Sequence, residues 1–225
     1  MGAQQLSINE MFETIQGEGV YTGVPSIFIR LQGCPVGCPW CDTKHTWTLD
    51  DAFLTTSDDV ITKTKESEAF FNTDGQSILS LFDEQGYQAK HVVITGGEPC
   101  MYDLTEVTSL LHDNGYSTQI ETSGTYEVRC APETWVTVSP KVDMKGGLPV
   151  LESALNRANE IKHPVAMQKH IDELDALLAK LDKPCSHVCL QPISQQERAT
   201  ELAIKTCIAR NWRLSLQTHK YIGIE

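Results

Sequence analysis

The chain has 225 residues, 40% hydrophobic and 21% charged, a composition typical of a single soluble globular domain. Its formal net charge of −12, from 18 basic against 30 acidic residues, argues against nucleic-acid binding, which depends on basic side chains that neutralise phosphates. No apolar run is long enough to cross a membrane, and the first residues lack the features of a signal peptide. The sequence therefore predicts a cytoplasmic protein, in which the eight cysteines are thiols or metal ligands rather than disulfides.

Short β-like runs recur along the chain, and helical patterns lie between most of them. Several of these runs mix Val and Ile with few charges, as strands covered on both faces do. The predicted strands are 26–31, 91–95, 117–122, 135–139, 160–167, 187–192 and 212–219. The predicted helices are, approximately, 76–86, 102–113, 149–159, 171–181 and 195–209.

Strands that alternate with helices predict an α/β fold with a mostly parallel sheet and right-handed crossovers. About six such units predict a partial (β/α)6-type barrel in a single domain, residues 1–225. Active sites of such folds lie at the carboxyl ends of the strands, and polar motifs follow the predicted strands here. These motifs are GGEP after HVVIT, TSG after QIE, SPK after VTV, QPIS after VCL and QTHK after RLSL.

The segment at about 45–75 breaks the alternation of strands and helices. It is polar and in places acidic, which predicts a surface insertion. Long irregular loops are often functional, so a lid or a partner-binding segment is the alternative interpretation.

Three cysteines, Cys34, Cys38 and Cys41, lie within the run RLQGCPVGCPWCDT. Cysteine thiolates ligate iron–sulfur clusters, so this loop can hold three corners of a [4Fe–4S] cubane. A structural site would normally have a fourth protein ligand, and its absence leaves one iron open for chemistry. The loop alone also allows a zinc site in which a distant residue such as His45 is the fourth ligand.

Five further cysteines lie outside this loop, at Cys100, Cys130, Cys185, Cys189 and Cys207. The spacing of Cys185 and Cys189 suggests an auxiliary cluster, but Cys189 falls inside a predicted strand. We expect all five to be core or inert thiols.

The C-x3-C-x2-C loop, followed later by Gly96-Gly97-Glu98-Pro99, resembles the radical S-adenosylmethionine superfamily. That resemblance implies that the open iron chelates the methionine part of the cofactor and that one electron from the cluster cleaves a carbon–sulfur bond. The resulting 5′-deoxyadenosyl radical abstracts hydrogen. The two glycines would let the backbone approach a ligand closely, because they lack Cβ atoms.

The resemblance becomes narrower over the run INEMFETIQGEGVYTGVPSIFIRLQGCPVGCPWCDTKHTW and the motifs ITGGEP, IETSGT, VSPK, LQPIS and NWRLSLQTHKYIGIE. Together these cover nearly the whole chain and are similar to the 7-carboxy-7-deazaguanine synthase family. The family resemblance implies a radical SAM barrel and a lyase of queuosine precursor synthesis. The implied reaction converts 6-carboxy-5,6,7,8-tetrahydropterin to 7-carboxy-7-deazaguanine with loss of ammonia.

The same resemblance implies one [4Fe–4S] cluster, S-adenosyl-L-methionine and Mg²⁺ as cofactors, and no catalytic side chain, because the radical comes from the cofactor. It also implies a low-potential electron donor such as flavodoxin, and a homodimer. The implied metal ligands are Cys34, Cys38 and Cys41 for the cluster and Thr43 for Mg²⁺. The implied cofactor-binding residues are Trp40, Cys41, Asp42, Gly97, Glu98, Ser139, Pro140, Lys141, Gln191, Pro192, Ile193 and Ser194. The implied substrate-binding residues are Ile15, Gln16, Gly17, Glu18, Arg30, Thr95, Glu121 and His219.

Several of these residues also have an ordinary structural interpretation. The Q-G-E-G run could be a simple glycine turn. A guanidinium suits the substrate carboxylate, but Arg30 could equally form a structural ion pair. Thr43 is a weak metal ligand alone, although Mg²⁺ takes few protein ligands and adds substrate oxygens and water. Glu121 could be part of an internal ion pair, and His219 could be a core histidine.

Two rival functions fit parts of the sequence. A glycyl-radical activase shares the cysteine loop and an open barrel, but its protein substrate requires neither the Q-G-E-G turn nor Arg30 and Thr43. A non-catalytic zinc or iron–sulfur module is the alternative from another class.

Overall fold

The computed structural model describes residues 5–193 and 196–223. The strands are β1 (Leu6–Ile15), β2 (Pro25–Leu31), β3 (Phe71–Thr73), β4 (His91–Gly96), β5 (Ser117–Thr122), β6 (Trp135–Val138), β7 (Glu160–Val165), β8 (His187–Pro192) and β9 (Arg213–Leu214). The α-helices are α1 (Ser57–Ile61), α2 (Gly75–Glu84), α3 (Thr105–Asp113), α4 (Glu152–Arg157), α5 (Gln168–Leu178), α6 (Glu197–Arg210) and α7 (Thr218–Ile222). Within these ranges, no helix is both long and apolar enough to cross a bilayer.

The strands of the described ranges form one sheet in the order β3-β1-β2-β4-β5-β6-β7-β8-β9. β1 runs antiparallel to β2 and β3. Every neighbouring pair from β2 to β9 is parallel. The predicted α/β class, with a mostly parallel sheet in a single domain, is confirmed. Since β3 and β9 end this order, hydrogen bonds between described residues leave the barrel open.

Two clusters of buried apolar side chains fill the space between the sheet and its helices. In the first, Ile27 and Ile29 of β2 pack with Phe82 of α2. In the second, Ile161 of β7 packs with Leu174 of α5. Side chains alternate between the two faces of a strand, so burying these residues under helices points their neighbours to the opposite face.

The opposite face of the sheet is polar. It presents Gln119 and Glu121 from β5, Thr137 from β6, and Glu160 and Lys162 from β7. The Gln119 Nε2 donates to Glu121 Oε1 at 3.0 Å and to Thr137 Oγ1 at 3.1 Å. A barrel interior of this kind has polar groups available for a ligand at the carboxyl ends of its strands.

The connection between β1 and β2, residues 16–24, folds onto this polar face. Its Val20 N–H donates to Glu160 Oε2 at 3.2 Å, and the Tyr21 ring stacks on His91 with centroids 4.4 Å apart. Gly19 has a φ of 67°, and a Cβ there would collide with the Glu160 carboxylate. Only glycine fits this position, and the resulting turn directs Glu18 into the barrel.

The segment at 45–75 contains α1 and leads into β3, which pairs with β1 at one edge of the sheet. Its Val60, Phe70 and Phe71 side chains are buried. The segment therefore contributes apolar side chains to the protein interior as well as surface. Its role as an insertion or lid stays a prediction.

The predicted helices and most predicted strands are confirmed to within a few residues. The strand predicted at 212–219 is wrong over most of its length, because only Arg213–Leu214 pairs with β8. Beyond it the chain bends back so that the Thr218 N–H and hydroxyl both donate to the Gly17 carbonyl, at 3.0 and 2.9 Å. The antiparallel strands β1 and β3 were not predicted. β1 carries charges among its apolar residues, and one of them, Glu10, pairs with Arg30 on β2.

Candidate active site

The three motif cysteines lie in the loop after β2, which we call the cysteine loop (residues 33–47). Backbone hydrogen bonds join its two ends. The Gly33 N–H donates to the Thr46 carbonyl at 2.7 Å, and the Cys34 N–H donates to the Trp47 carbonyl at 3.0 Å. The first cysteine is therefore fixed relative to the far end of the loop.

A second set of contacts holds the middle of the cysteine loop. The Gly146 N–H donates to the Val36 carbonyl at 3.0 Å. A Cβ on Gly146 would collide with the Pro35 carbonyl oxygen. The segment after β6 thus lies directly on the cysteine loop, and glycine is required where the two backbones meet.

The GGEP turn packs against the start of the same loop. A Cβ on Gly96 would collide with the Leu31 backbone, and one on Gly97 with the Gly33 carbonyl. The close approach that these glycines permit is thus to neighbouring backbone, whereas the sequence suggested an approach to a ligand. Gly97 nonetheless lines the cavity described below.

Glu98 of the GGEP turn is buried and ties this turn to the end of β5. Its Oε1 accepts from Thr122 Oγ1 at 2.6 Å and from the Cys100 N–H at 3.0 Å. Its Oε2 accepts from the Ser123 N–H at 2.8 Å and from the Ser123 hydroxyl. These bonds give Glu98 a clear positioning role. Its predicted contact with the cofactor stays a prediction.

Three thiols that line one cavity fit an iron–sulfur cluster, in which iron would replace their protons. Burial raises the pKa of Cys34 to about 11, and burial also raises the pKa of Cys38. Without a metal these thiols are therefore neutral, and bound iron would supply the positive charge that stabilises thiolates. In the described ranges no three His, Cys, Asp or Glu side chains lie close enough to share one metal ion. A cubane does not require such a point of convergence, because each thiolate binds a different iron.

His45, the suggested fourth zinc ligand, is engaged elsewhere. Its Nε2 lies 3.4 Å from Glu10 Oε1, and its Nδ1 lies 3.5 Å from Glu66 Oε2. The imidazole thus links the 45–75 segment to β1.

A cavity of about 680 Å³ opens at the carboxyl ends of the parallel strands, within the usual range for small-molecule sites. Nearly all residues predicted for the site line it. They are Ile15, Gln16, Gly17, Glu18, Arg30, Cys34, Cys38, Trp40, Cys41, Asp42, Thr43, Thr95, Gly97, Glu98, Glu121, Ser139, Lys141, Gln191, Pro192, Ile193 and His219. Pro140 is buried behind this wall, and Ser194 lies outside the described residues.

Three charged side chains form the polar floor of the cavity. Buried Lys162 places its Nζ 2.6 Å from Glu18 Oε2 and 2.9 Å from Glu121 Oε2. The other Glu18 oxygen accepts from Gln217 Nε2 at 2.9 Å. One ammonium thus holds a carboxylate from the β1–β2 connection and another from β5.

The two carboxyl groups of this floor have very different proton affinities. Burial would raise the pKa of Glu18, but the adjacent Lys162 ammonium and its hydrogen bonds lower it to about 2. For Glu121, burial dominates over the attraction of Lys162, and repulsion from Glu18 and Glu160 adds to it, so its pKa rises to about 7. Near neutral pH, Glu18 is ionised while Glu121 exchanges a proton.

Arg30 forms the structural ion pair that the sequence allowed, and its binding of a substrate carboxylate stays a prediction. Its Nε lies 2.8 Å from Glu10 Oε2, and its guanidinium lies over the Phe12 ring at 5.4 Å. It also lines the cavity. Lys63 of the 45–75 segment lies 3.9 Å from Glu10 as well, so that carboxylate is shared among several cations.

Thr43 and His219 both line the cavity. The Thr43 hydroxyl lies 3.6 Å from the Cys41 sulfur and donates to the Gly96 carbonyl at 3.5 Å. The His219 ring packs against Gly17, where any Cβ would collide with it, and burial lowers its pKa.

Sequence reasoning missed Lys162, Gln217 and Trp47, which all line the cavity. A signal for Lys162 was present, because a lysine in a predicted strand that helices cover requires a buried partner. Gln217 lies in the QTHK motif and Trp47 ends the run that carries the family resemblance, but neither was assigned a role.

The fold and the site together define a class of protein. An open, mostly parallel α/β sheet carries a three-thiol loop after one parallel strand and a glycine turn after the next, both facing one cavity. This combination is that of a radical S-adenosylmethionine enzyme.

Comparison with known proteins narrows the class. A family model described as a 4Fe-4S single cluster domain matches residues 15–126. The chain is 61% identical over 223 residues to 7-carboxy-7-deazaguanine synthase of Escherichia coli K12, covering 98% of this chain and 99% of that protein. It is 48% identical over 218 residues to the protein of the same name from Buchnera aphidicola, covering 96% and 98% respectively. The chain belongs to the 7-carboxy-7-deazaguanine synthase family.

A solved structure agrees with this assignment. The crystal structure of QueE from Escherichia coli superposes with a TM-score of 0.93 at 59% identity, covering 94% of this chain and 93% of that chain.

Proposed function

We propose that this enzyme converts 6-carboxy-5,6,7,8-tetrahydropterin to 7-carboxy-7-deazaguanine with loss of ammonia, as a radical SAM step of queuosine precursor synthesis. The observation that carries the proposal is that one cavity joins the cysteine loop to the β1–β2 connection and to Arg30. Cofactor and substrate can therefore lie side by side. A glycyl-radical activase would not need the part of this cavity that the β1–β2 connection and Arg30 form.

On the cluster side, Cys34, Cys38 and Cys41 would each hold one iron and leave the fourth iron without a protein ligand. When bound, the cluster and S-adenosylmethionine supply a carbon-centred radical that abstracts hydrogen. The chain provides the walls of this part. Half-buried Lys141 donates to Ser139 Oγ at 2.6 Å, which fixes the SPK turn beside the cysteine loop.

On the substrate side, the chain offers groups of complementary chemistry. The guanidinium of Arg30 suits the substrate carboxylate. The amino and ring N–H groups of a pterin need acceptors, and the ionised Glu18 carboxylate lies on the cavity floor. Glu18 is held there by Lys162 and Gln217, so it is already oriented before a ligand binds.

Thr43 is the proposed protein ligand of Mg²⁺. Its hydroxyl lies beside Cys41 and faces the same cavity. Mg²⁺ keeps several water or substrate oxygens, so a single protein oxygen suffices when a substrate carboxylate is present. The ion would then hold that carboxylate close to the cluster.

Glu121 is the proposed proton carrier. Loss of ammonia requires that nitrogen leave in protonated form, and a carboxyl group with a pKa near 7 can release or take up a proton at neutral pH. Lys162 orients this carboxyl group through a 2.9 Å contact.

The test is an anaerobic incubation of the reconstituted protein with the carboxy-tetrahydropterin, S-adenosylmethionine, Mg²⁺ and a reductant. We expect deazapurine absorbance and the product mass. Cofactor cleavage without any deazapurine would reject the proposed substrate while keeping the enzyme class. The flavodoxin donor, the homodimer and the cytoplasmic location stay predictions.

A further inference from the structure

Trp47 contacts the cysteine loop at two separate points. Its carbonyl accepts from the Cys34 N–H at 3.0 Å, and its indole Nε1 donates to the Cys41 sulfur at 3.4 Å. One residue thus connects the first and third cysteines. The same indole lines the cavity and is half-buried, so its N–H is partly shielded from competing water.

A donor on a cluster sulfur has a definite electrostatic consequence. Reduction adds one electron, and the added negative charge is shared with the ligand sulfurs. An N–H dipole that points at such a sulfur stabilises the reduced state more than the oxidised state. Hydrogen bonds of this kind are among the factors that set the potential of iron–sulfur clusters.

We propose that Trp47 raises the reduction potential of the cluster by donating its indole N–H to the Cys41 sulfur. This inference rests on the proposed function, in that a cluster occupies the three cysteines. The redox step is a one-electron transfer from an external low-potential donor to the cluster, in which no covalent bond to Trp47 forms or breaks. Trp47 is a positioning residue, because it acts through Cys41.

The role matters because cofactor cleavage requires a reduced cluster. At a given donor potential, a cluster with a higher potential is reduced in a larger fraction of molecules. A cluster without the indole donor would need a stronger reductant to reach the same reduced fraction.

The test is a redox titration of Trp47→Phe, which keeps an aromatic ring but removes the N–H. The reduced cluster is followed by its EPR signal in the absence of S-adenosylmethionine, and iron content is measured on the same samples. We expect the ratio of reduced to oxidised cluster at a fixed potential to fall about tenfold, which corresponds to about 59 mV for a one-electron couple. Trp212→Phe is the matched control, because Trp212 packs in the second core cluster against the outer helices and should leave the potential unchanged.

The outcomes separate tuning from a merely structural role. A lower potential at normal iron content supports the inference. Reduced iron content with an unchanged potential in the remaining cluster overturns it, because Trp47 would then only hold the loop. An unchanged potential at full iron content overturns it as well.

A second readout does not require a stable Trp47→Phe protein. In wild-type protein whose tryptophans carry ¹⁵N in the indole ring, pulsed EPR of the reduced cluster should resolve a ¹⁵N coupling, and Trp40→Phe should retain that coupling. Absence of the coupling, or its loss in Trp40→Phe, contradicts the inference. Failure of the proposed function would look different, since wild-type protein would then form no deazapurine from the carboxy-tetrahydropterin, whatever the potential of its cluster.

Discussion

Two ends of the cavity are held by different kinds of interaction. The cluster end is the cysteine loop, and the substrate end is the polar floor. The cysteine loop is fixed by backbone hydrogen bonds and by glycines where backbones meet, as at Gly97 and Gly146. The polar floor, where we propose that the substrate binds, is held by ion pairs in which Lys162 lies between Glu18 and Glu121. Backbone contacts do not titrate, whereas the geometry of the floor depends on which carboxyl is protonated. The backbone contacts that hold the cysteine loop therefore do not change with pH, whereas the ion pairs of the substrate end do.

The largest expected effect comes from a substitution that removes one of the three cysteines of the cluster end. Cys38→Ala should abolish cofactor cleavage, because two thiolates do not hold a cubane well. Iron content and 5′-deoxyadenosine formation measure the effect. Cys207→Ala, which removes a buried thiol of α6, should retain both, and substantial cofactor cleavage in Cys38→Ala would refute the cluster assignment.

Lys162→Met removes the ion pairs of the substrate end and leaves the contacts of the cysteine loop in place. It leaves two partly buried carboxyl groups without their counter-ion, so we expect a loss of about 3–5 kcal/mol in the free energy of unfolding and a severe loss of substrate binding. Denaturant unfolding gives the first quantity. Lys169→Met, which removes an exposed lysine paired with Glu173 on α5, should cost about 0.5 kcal/mol or less.

The iron content of the same Lys162→Met protein tests whether the two ends of the cavity are held independently. If the two ends are held independently, the folded variant should still take up a full cluster. Loss of the cluster from protein that remains folded would show that the ends are coupled.

Glu121→Gln tests the pH response of the substrate end. The folded-state pKa of Glu121 is raised from 4.5 to about 7, so between these values the folded protein binds a proton that the unfolded chain does not. The stability that this proton contributes is complete below pH 4.5 and is lost as the pH rises through about 7. The stability of the variant relative to wild type should therefore increase across this window, by at most about 3 kcal/mol.

Denaturant unfolding at a series of pH values measures this difference. Glu201→Gln on α6 is the control, since it removes an exposed carboxylate and its difference from wild type should stay flat. A flat difference for Glu121→Gln would mean that its proton affinity is not raised in the folded protein.

Gly146→Ala tests the backbone contacts of the cluster end. The added methyl group would collide with the Pro35 carbonyl, so we expect a loss of about 2 kcal/mol and slower or incomplete cluster uptake. Gly147→Ala is a close control, since its φ of 67° strains alanine by about 1 kcal/mol while no other group lies nearby. Equal cluster uptake in the two variants would contradict the packing argument.

The sequence predicted the cluster end far better than the substrate end. The cysteines and the GGEP turn are short motifs in one stretch of chain or at the end of a predictable strand, so their position follows from local pattern. Thr43 was indicated by the family resemblance alone. β5 was predicted with its observed bounds because turn residues lie on both sides of it, Asn114-Gly115 before and Ser123-Gly124 after. Even here the reason for Gly97 was missed, since its neighbour Gly33 comes from another part of the chain.

The interactions of the substrate end join residues that are distant in sequence. Glu18 and Lys162 are separated by 144 positions, and no local pattern relates them. Arg30 was predicted to bind a carboxylate, but its partner Glu10 lies on a strand that was not recognised. Side chains that meet across a barrel depend on strand order and register, which the periodicity of one sequence does not specify.

The β1–β2 connection also bears on how the protein is made. Every anchor described for the cysteine loop lies within the first 146 residues, whereas the Gly19 N–H of the connection donates to Ser215 Oγ at 2.9 Å, across 196 positions. During synthesis the amino-terminal part emerges first and can begin to fold. The cysteine loop and its anchors can therefore fold on the ribosome before the β1–β2 connection, where we propose that the pterin binds, reaches its final contacts.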